Sequence, residues 1–214
     1  MDNASRLERL IGELRQFYGL LPTPPSDGFR FFVWQVLSYK STPGQRASAF
    51  NMLLRNRALT PDSMEKLAPK KMQEAIAATG SYHEQRQRAL KAAIRVFQLH
   101  PDLTAAIGGE FAVASEAIGL LPQIDPETTF ERMLLYVGGH RVFPQDEGVG
   151  RVLRRLGYDE PPESELEPTV DAYRRACTFL THHAATTCTD NDPHCGVCPL
   201  RADCPYGRDQ MPGT

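Results

Sequence analysis

The sequence lacks any segment that alternates apolar and polar residues with a period of two, and it contains no internal repeat. That excludes the sandwich and barrel classes, which need several such strands. Long apolar runs are missing too; none approaches the roughly 20 residues that span a bilayer. The N-terminal stretch MDNASRLERLIGELRQ is amphipathic rather than basic and then apolar, so a cytosolic chain with reduced thiols is expected. Lysine is scarce: only five of the 24 basic residues are lysines, and none follows Lys91. A covalent mechanism with a lysine nucleophile therefore has no candidate in the second half of the chain. Cysteine is nearly absent outside one stretch. Four of the five fall within CTDNDPHCGVCPLRADC, residues 188–204, and the fifth is Cys177.

What is present is helical. Residues 4–18 place Leu7, Leu10, Ile11 and Leu14 on one stripe. Ser26-Asp27 precedes GFRFFVWQVLSYK, whose apolar density predicts a largely buried helix with Trp34 in the core. Thr42-Pro43, Thr60-Pro61 and Asp125-Pro126 repeat one starting device, a capping oxygen followed by a proline in the first turn. Gly80 ends a helix over 69–78, and another begins near Tyr82, read as a core anchor, and runs to Leu99. Further helices fit 110–118, 126–137, 146–156 and 168–187. About ten short helices with brief connections describe an all-α protein. The net charge of −2 does not mark a nucleic-acid partner. However, YDEPPESELEP (158–168) concentrates five acids and no base, leaving the remaining body weakly positive. It reads as a solvated connector between the last two long helices.

The cysteines are spaced C-x6-C-x2-C-x5-C. Two disulfides are conceivable, but a cytosolic chain keeps its thiols reduced, so a bound metal is the better reading. Zinc sites usually pair two short C-x2-C knuckles across a longer spacer, whereas only Cys195 and Cys198 are close here. An iron–sulfur cluster, wider than one ion, accepts a looser ring. Cys177 reads as a buried structural cysteine.

This pattern resembles the [4Fe-4S] loop of endonuclease III-like DNA glycosylases of the helix-hairpin-helix superfamily. The resemblance extends beyond the cysteines. QDEGVGRVLRRLG (145–157) is similar to the family's VDTHIFRVxNRLG segment, which places Asp146 on the essential aspartate. His183 precedes Cys188 at the family's spacing. FFVWQVLSYKST (31–42) resembles a helix ending in a SAQxT-type turn, with Lys40 at the glutamine position, and GSYHEQRQRAL (80–90) resembles GxYxxKAxxI. The resemblance implies a two-lobed all-α fold. A six-helix lobe would span 21–137, and an iron–sulfur lobe would be formed by 1–20 plus 138–214 with its cluster loop at 188–204. It also implies a [4Fe-4S] cluster held by Cys188, Cys195, Cys198 and Cys204. The implied partner is double-stranded DNA containing a damaged or mismatched base, with the target nucleotide flipped into a cleft between the lobes. Lys40 and Ser81 would probe the duplex, while Arg151 and Arg154, with Arg155, would reach phosphates. A monomer associated with the nucleoid is expected, with no membrane partner.

Two departures bear on chemistry. Where the family hairpin reads LPGVGRKTA, this chain reads LPQIDPETTFERML (121–134). At the corner where the family has its glycines this chain carries Asp125 and Pro126, placing a carboxylate and a residue without an N–H where the phosphate binds. The catalytic lysine is replaced by Glu127 or Thr128, depending on register. Asp146 remains, and a carboxylate beside an anomeric carbon can stabilise an oxocarbenium-like transition state and orient water. The expected activity is monofunctional: hydrolysis of the N-glycosidic bond with weak or no lyase action. The alternative is an inactive DNA-binding or structural iron–sulfur relative.

Overall fold

The computed structural model describes residues 5–122 and 129–210. Every regular element among the described residues is helical. The chain forms two compact units, one of residues 24–140 and one joining residues 1–23 to 141–214.

The 24–140 unit is organised around α2 (Gly28–Ser38), in which nine of eleven residues are buried. Its Asp27 cap accepts the Arg30 N–H at 2.9 Å, and the near-uniform apolarity of FFVWQVL leaves no polar face to turn outward. The helix α3 (Pro43–Arg55) begins with a capping box in which Thr42 and Gln45 satisfy each other's backbone N–H. The short α4 (Pro61–Glu65) does the same with Thr60 and Ser63. Both expected proline starts therefore form; the third, Asp125-Pro126, lies outside the described residues. After α5 (Pro69–Ala77), Gly80 turns the chain at φ 84°. The long α6 (His83–Leu99) follows, then α7 (Leu103–Ile107), α8 (Phe111–Gly119) and α9 (Thr129–Met133).

Two local readings need correction. The segment expected as one helix to residue 137 changes winding, and Leu134–Gly138 forms a π-helical turn closed by Gly139 in the left-handed region. Gly138 is required there, because a Cβ would sit 2.6 Å from the Ile107 carbonyl oxygen. Tyr82, read as a core anchor, is instead 43% exposed and caps α6 with a left-handed backbone, φ 68°.

The other unit is built on α11 (Val170–Thr186), which packs against α1 (Arg6–Tyr18) and α10 (Glu147–Arg155). Leu7, Leu10, Ile11 and Leu14 are all 3% exposed or less. Burying each contributes about 1.5–3 kcal/mol, so this stripe fixes α1 despite its distance in sequence. A final turn, α12 (Pro205–Asp209), follows the cysteine loop. The acidic segment 158–168 is not a free connector. Glu165 Oε2 accepts the Leu7 N–H at 2.7 Å, Ser5 Oγ donates to the Glu165 carbonyl, and the Glu167 N–H donates to Glu8 Oε1 at 2.8 Å. Its carboxylate therefore caps the positive end of α1.

Candidate functional site

Asp146 is the N-cap of α10, and its Oδ1 accepts the Val149 N–H at 2.7 Å. The cap holds the carboxylate half-buried at the start of the helix. One turn on, Arg151 donates from Nε to the Cys188 carbonyl at 3.0 Å and from Nη2 to the Ala184 carbonyl at 3.1 Å. Arg155 donates to Cys188 Sγ at 3.3 Å, to the Thr189 carbonyl at 2.6 Å and to the Asp190 carbonyl at 3.0 Å, and lies over the Tyr206 ring. These two arginines, grouped by sequence with phosphate contacts, are engaged with the cysteine loop, while Arg154 between them is exposed. Residues 151 and 155, four apart, lie together on the face turned to the cysteine loop, and 154 points to solvent.

Cys188, Cys195, Cys198 and Cys204 line one pocket with about 360 Å³ of empty space, part of it open to solvent. None of the four is in a disulfide. Among the described residues no three His, Cys, Asp or Glu side chains are grouped as a single metal ion would require. The sulfurs meet N–H donors: Arg155 reaches Cys188, the Gly207 N–H donates to Cys204 Sγ at 3.3 Å, and His183 Nε2 lies 3.7 Å from Cys198 Sγ. Burial, reinforced by neighbouring thiols, pushes the Cys198 thiol up to about 11 and raises that of Cys204. Such thiols stay protonated at neutral pH unless a cationic group takes them as thiolates. A soft, polynuclear cation fits this donor set. Cys177 stands apart, fully buried in α11.

His183 is 2% exposed, and burial together with nearby His182 lowers its pKa to about 4. Its Nδ1 is 2.8 Å from the Tyr18 hydroxyl, which is also 2.6 Å from Thr187 Oγ1. The sequence offered one clue to Tyr18: it continues the Leu7, Leu10, Ile11, Leu14 stripe by one more turn.

In the 24–140 unit the turns carrying Lys40 and Ser81 come together. Both residues are exposed, and Lys40 has φ 48°. Ser41 Oγ donates to the Thr79 carbonyl at 2.9 Å, and the Tyr39 and Tyr82 rings meet edge to face at 5.3 Å. Beneath them sits Arg86, fully buried. It donates from Nε to the Val36 carbonyl at 3.2 Å, and from Nη2 to the Tyr39 carbonyl and to Ser41 Oγ, the latter at 2.8 Å. Arg86 falls on the α6 stripe with Leu90, Ala93 and Phe97, so a charge at a core position was the signal for it. The hairpin corner with Asp125 and Pro126, and the lysine-equivalent Glu127 or Thr128, lie outside the described residues.

No protein-family model matches the chain. It is 23% identical over 208 residues to endonuclease III homolog 2, chloroplastic, of Arabidopsis thaliana, an alignment covering 89% of this chain and 52% of that protein. The chain thus spans about half the length of the curated relative it matches. Its structure superposes on a non-covalent endonuclease III–DNA complex with a TM-score of 0.65, 18% identity and complete coverage of both chains. A trapped endonuclease III–DNA covalent intermediate gives a TM-score of 0.63 at 18% identity over 99% of this chain and 100% of that one. A thermostable thymine-DNA glycosylase gives 0.63 at 16% identity, covering 95% of this chain and 97% of that one. The chain therefore has the fold of endonuclease III, and it resembles an endonuclease III homolog in sequence as well.

Proposed function

We propose that this chain is a monofunctional DNA glycosylase of base-excision repair, hydrolysing the N-glycosidic bond of a damaged or mismatched base flipped out of duplex DNA. The observation that carries this reading is Asp146, retained as the cap of α10 with Oδ1 anchored by the Val149 N–H. In this reading the anchored carboxylate stands beside the anomeric carbon of the flipped nucleotide, where it would stabilise positive charge developing on the sugar and orient water. No lysine follows Lys91 to form a Schiff base, so strand cleavage by an amine is weak or absent in this reading. Lys40 and Ser81 meet the duplex from adjoining turns, and Arg154 supplies a phosphate contact; the protein acts as a monomer at the nucleoid.

Cys188, Cys195, Cys198 and Cys204 hold a [4Fe-4S] cluster in this reading, supported by their common pocket and the N–H donors around it. When bound, the cluster cross-links the loop 188–204 and fixes its fold. Arg151 and Arg155 then act as braces that tie α10, and Asp146 at its head, to that loop.

A second reading is a DNA-binding relative without chemistry. It is favoured by exposed Asp190 and Asp192 in a loop that carries no lysine or arginine between its first two cysteines. Anaerobically purified protein incubated with duplexes carrying a panel of lesions and mismatches separates the two. Breaks that appear only after alkali treatment, reduced about 100-fold or more by Asp146→Asn with binding retained, are the expected result. Breaks without alkali would overturn the monofunctional reading, and intact DNA throughout would leave the second one standing.

A further inference from the structure

We propose that Tyr18 is a positioning residue for the cluster: through His183 it fixes a hydrogen bond onto Cys198 Sγ, so that α1 sets the electronic environment of the metal group. The inference rests on the [4Fe-4S] reading above and concerns residues outside the ligand set. Three contacts form a chain. Thr187 Oγ1 lies 2.6 Å from the Tyr18 hydroxyl, that hydroxyl lies 2.8 Å from His183 Nδ1, and His183 Nε2 lies 3.7 Å from Cys198 Sγ.

The direction of every hydrogen bond follows from the last one. A cysteine sulfur bound to iron is a thiolate with no proton to give, so it only accepts. His183 Nε2 must then carry the hydrogen. A neutral imidazole has one N–H, which makes Nδ1 an acceptor. The Tyr18 hydroxyl therefore donates to Nδ1, and its oxygen accepts from the Thr187 hydroxyl and, more weakly at 3.5 Å, from the Thr186 hydroxyl. His183 and Thr187 are 2% and 6% exposed, so little water competes for either contact. By donating to Nδ1, Tyr18 reinforces the Nε2–H tautomer that the thiolate favours and holds the ring in place.

Hydrogen bonds to cluster sulfurs stabilise the reduced, more negative state and raise the reduction potential. The test uses the full chain, purified anaerobically, with iron content, visible absorption, reduction potential and Fe–S(Cys) resonance Raman frequencies as readouts. His183→Leu should shift the potential to more negative values at unchanged iron content. Tyr18→Phe should shift it in the same direction by less. His183→Gln, whose amide N–H can occupy the Nε2 position, should remain near wild type. If His183→Leu fails to load iron, Tyr18→Phe alone carries the measurement. Iron-loaded Tyr18→Phe with wild-type potential and Fe–S frequencies would overturn the proposal while leaving the cluster reading intact. Wild-type protein without a cluster would overturn both.

Discussion

Single residues decide how much of this molecule responds to solution conditions. With no cluster bound, burial lowers His183 in the fold from its ordinary 6.5 to about 4, because a buried site disfavours the imidazolium. The unfolded chain thus binds a proton that the folded chain refuses. Stability is complete above pH 6.5 and should fall by about 2–4 kcal/mol as the pH drops toward 4. Urea melts of wild type and His183→Gln across that window provide the check, the variant losing less. Arg86 is the opposite case, a buried charge whose value lies in what it holds. Arg86→Met leaves the Val36 and Tyr39 carbonyls and the Ser41 hydroxyl without their donor. The expected net loss is about 1–3 kcal/mol, since orphaned buried acceptors are partly offset by relief of the desolvated guanidinium. Hydrogen exchange should quicken in residues 39–41 and 79–82 ahead of the other helices. Neither residue's role was legible beforehand. Sequence marks Arg86 only as a charge on an apolar stripe and cannot say which carbonyls converge on it.

At the scale of elements, local chemistry was readable and long-range pairing was not. Apolar periodicity and capping residues foretold α1, α2, α3, α4 and α6, because these depend on residues at most a few positions apart. The π-helical turn at Leu134–Gly138 was missed, since the close approach of Gly138 to Ile107 is a packing fact. The segment 158–168 was missed for the same reason: its carboxylates look solvated until α1 is placed beside them. Glu165→Ala should therefore cost about 1–2 kcal/mol, as the loss of a helix cap does. It should also speed amide exchange at Leu7 and Glu8. Arg151 and Arg155 show the limit most clearly. The motif that located Asp146 gave their register, but only the fold revealed that their guanidinium groups face the cysteine loop.

For the molecule as a whole, the division into two units predicts divided stability. The 24–140 unit owns a core around α2, whereas the unit holding the cysteines depends on a loop with little apolar burial between Cys188 and Cys198. Removing iron with a chelator should release the loop 188–204 to proteolysis and lower the melting of that unit, while a protected fragment close to residues 24–140 survives. Coincident loss of both units in limited proteolysis and circular dichroism would contradict this. All-α class and the endonuclease III fold were legible from motifs spread along the chain, and both appear in the structure. The base that is excised was not legible, because a pocket's selectivity depends on the directions of a few side chains rather than on their order.

The docking of α1 on α11 has a consequence for biosynthesis. The stripe of Leu7, Leu10, Ile11 and Leu14 leaves the ribosome early, yet the surface that buries it is translated roughly 150 residues later. At typical elongation rates that interval is on the order of ten seconds. Throughout it, the 24–140 unit can complete its own fold while an adhesive apolar helix waits beside it. Nascent chains stalled before residue 170 should consequently recruit holdase chaperones through α1, and chains extended past residue 186 should release them.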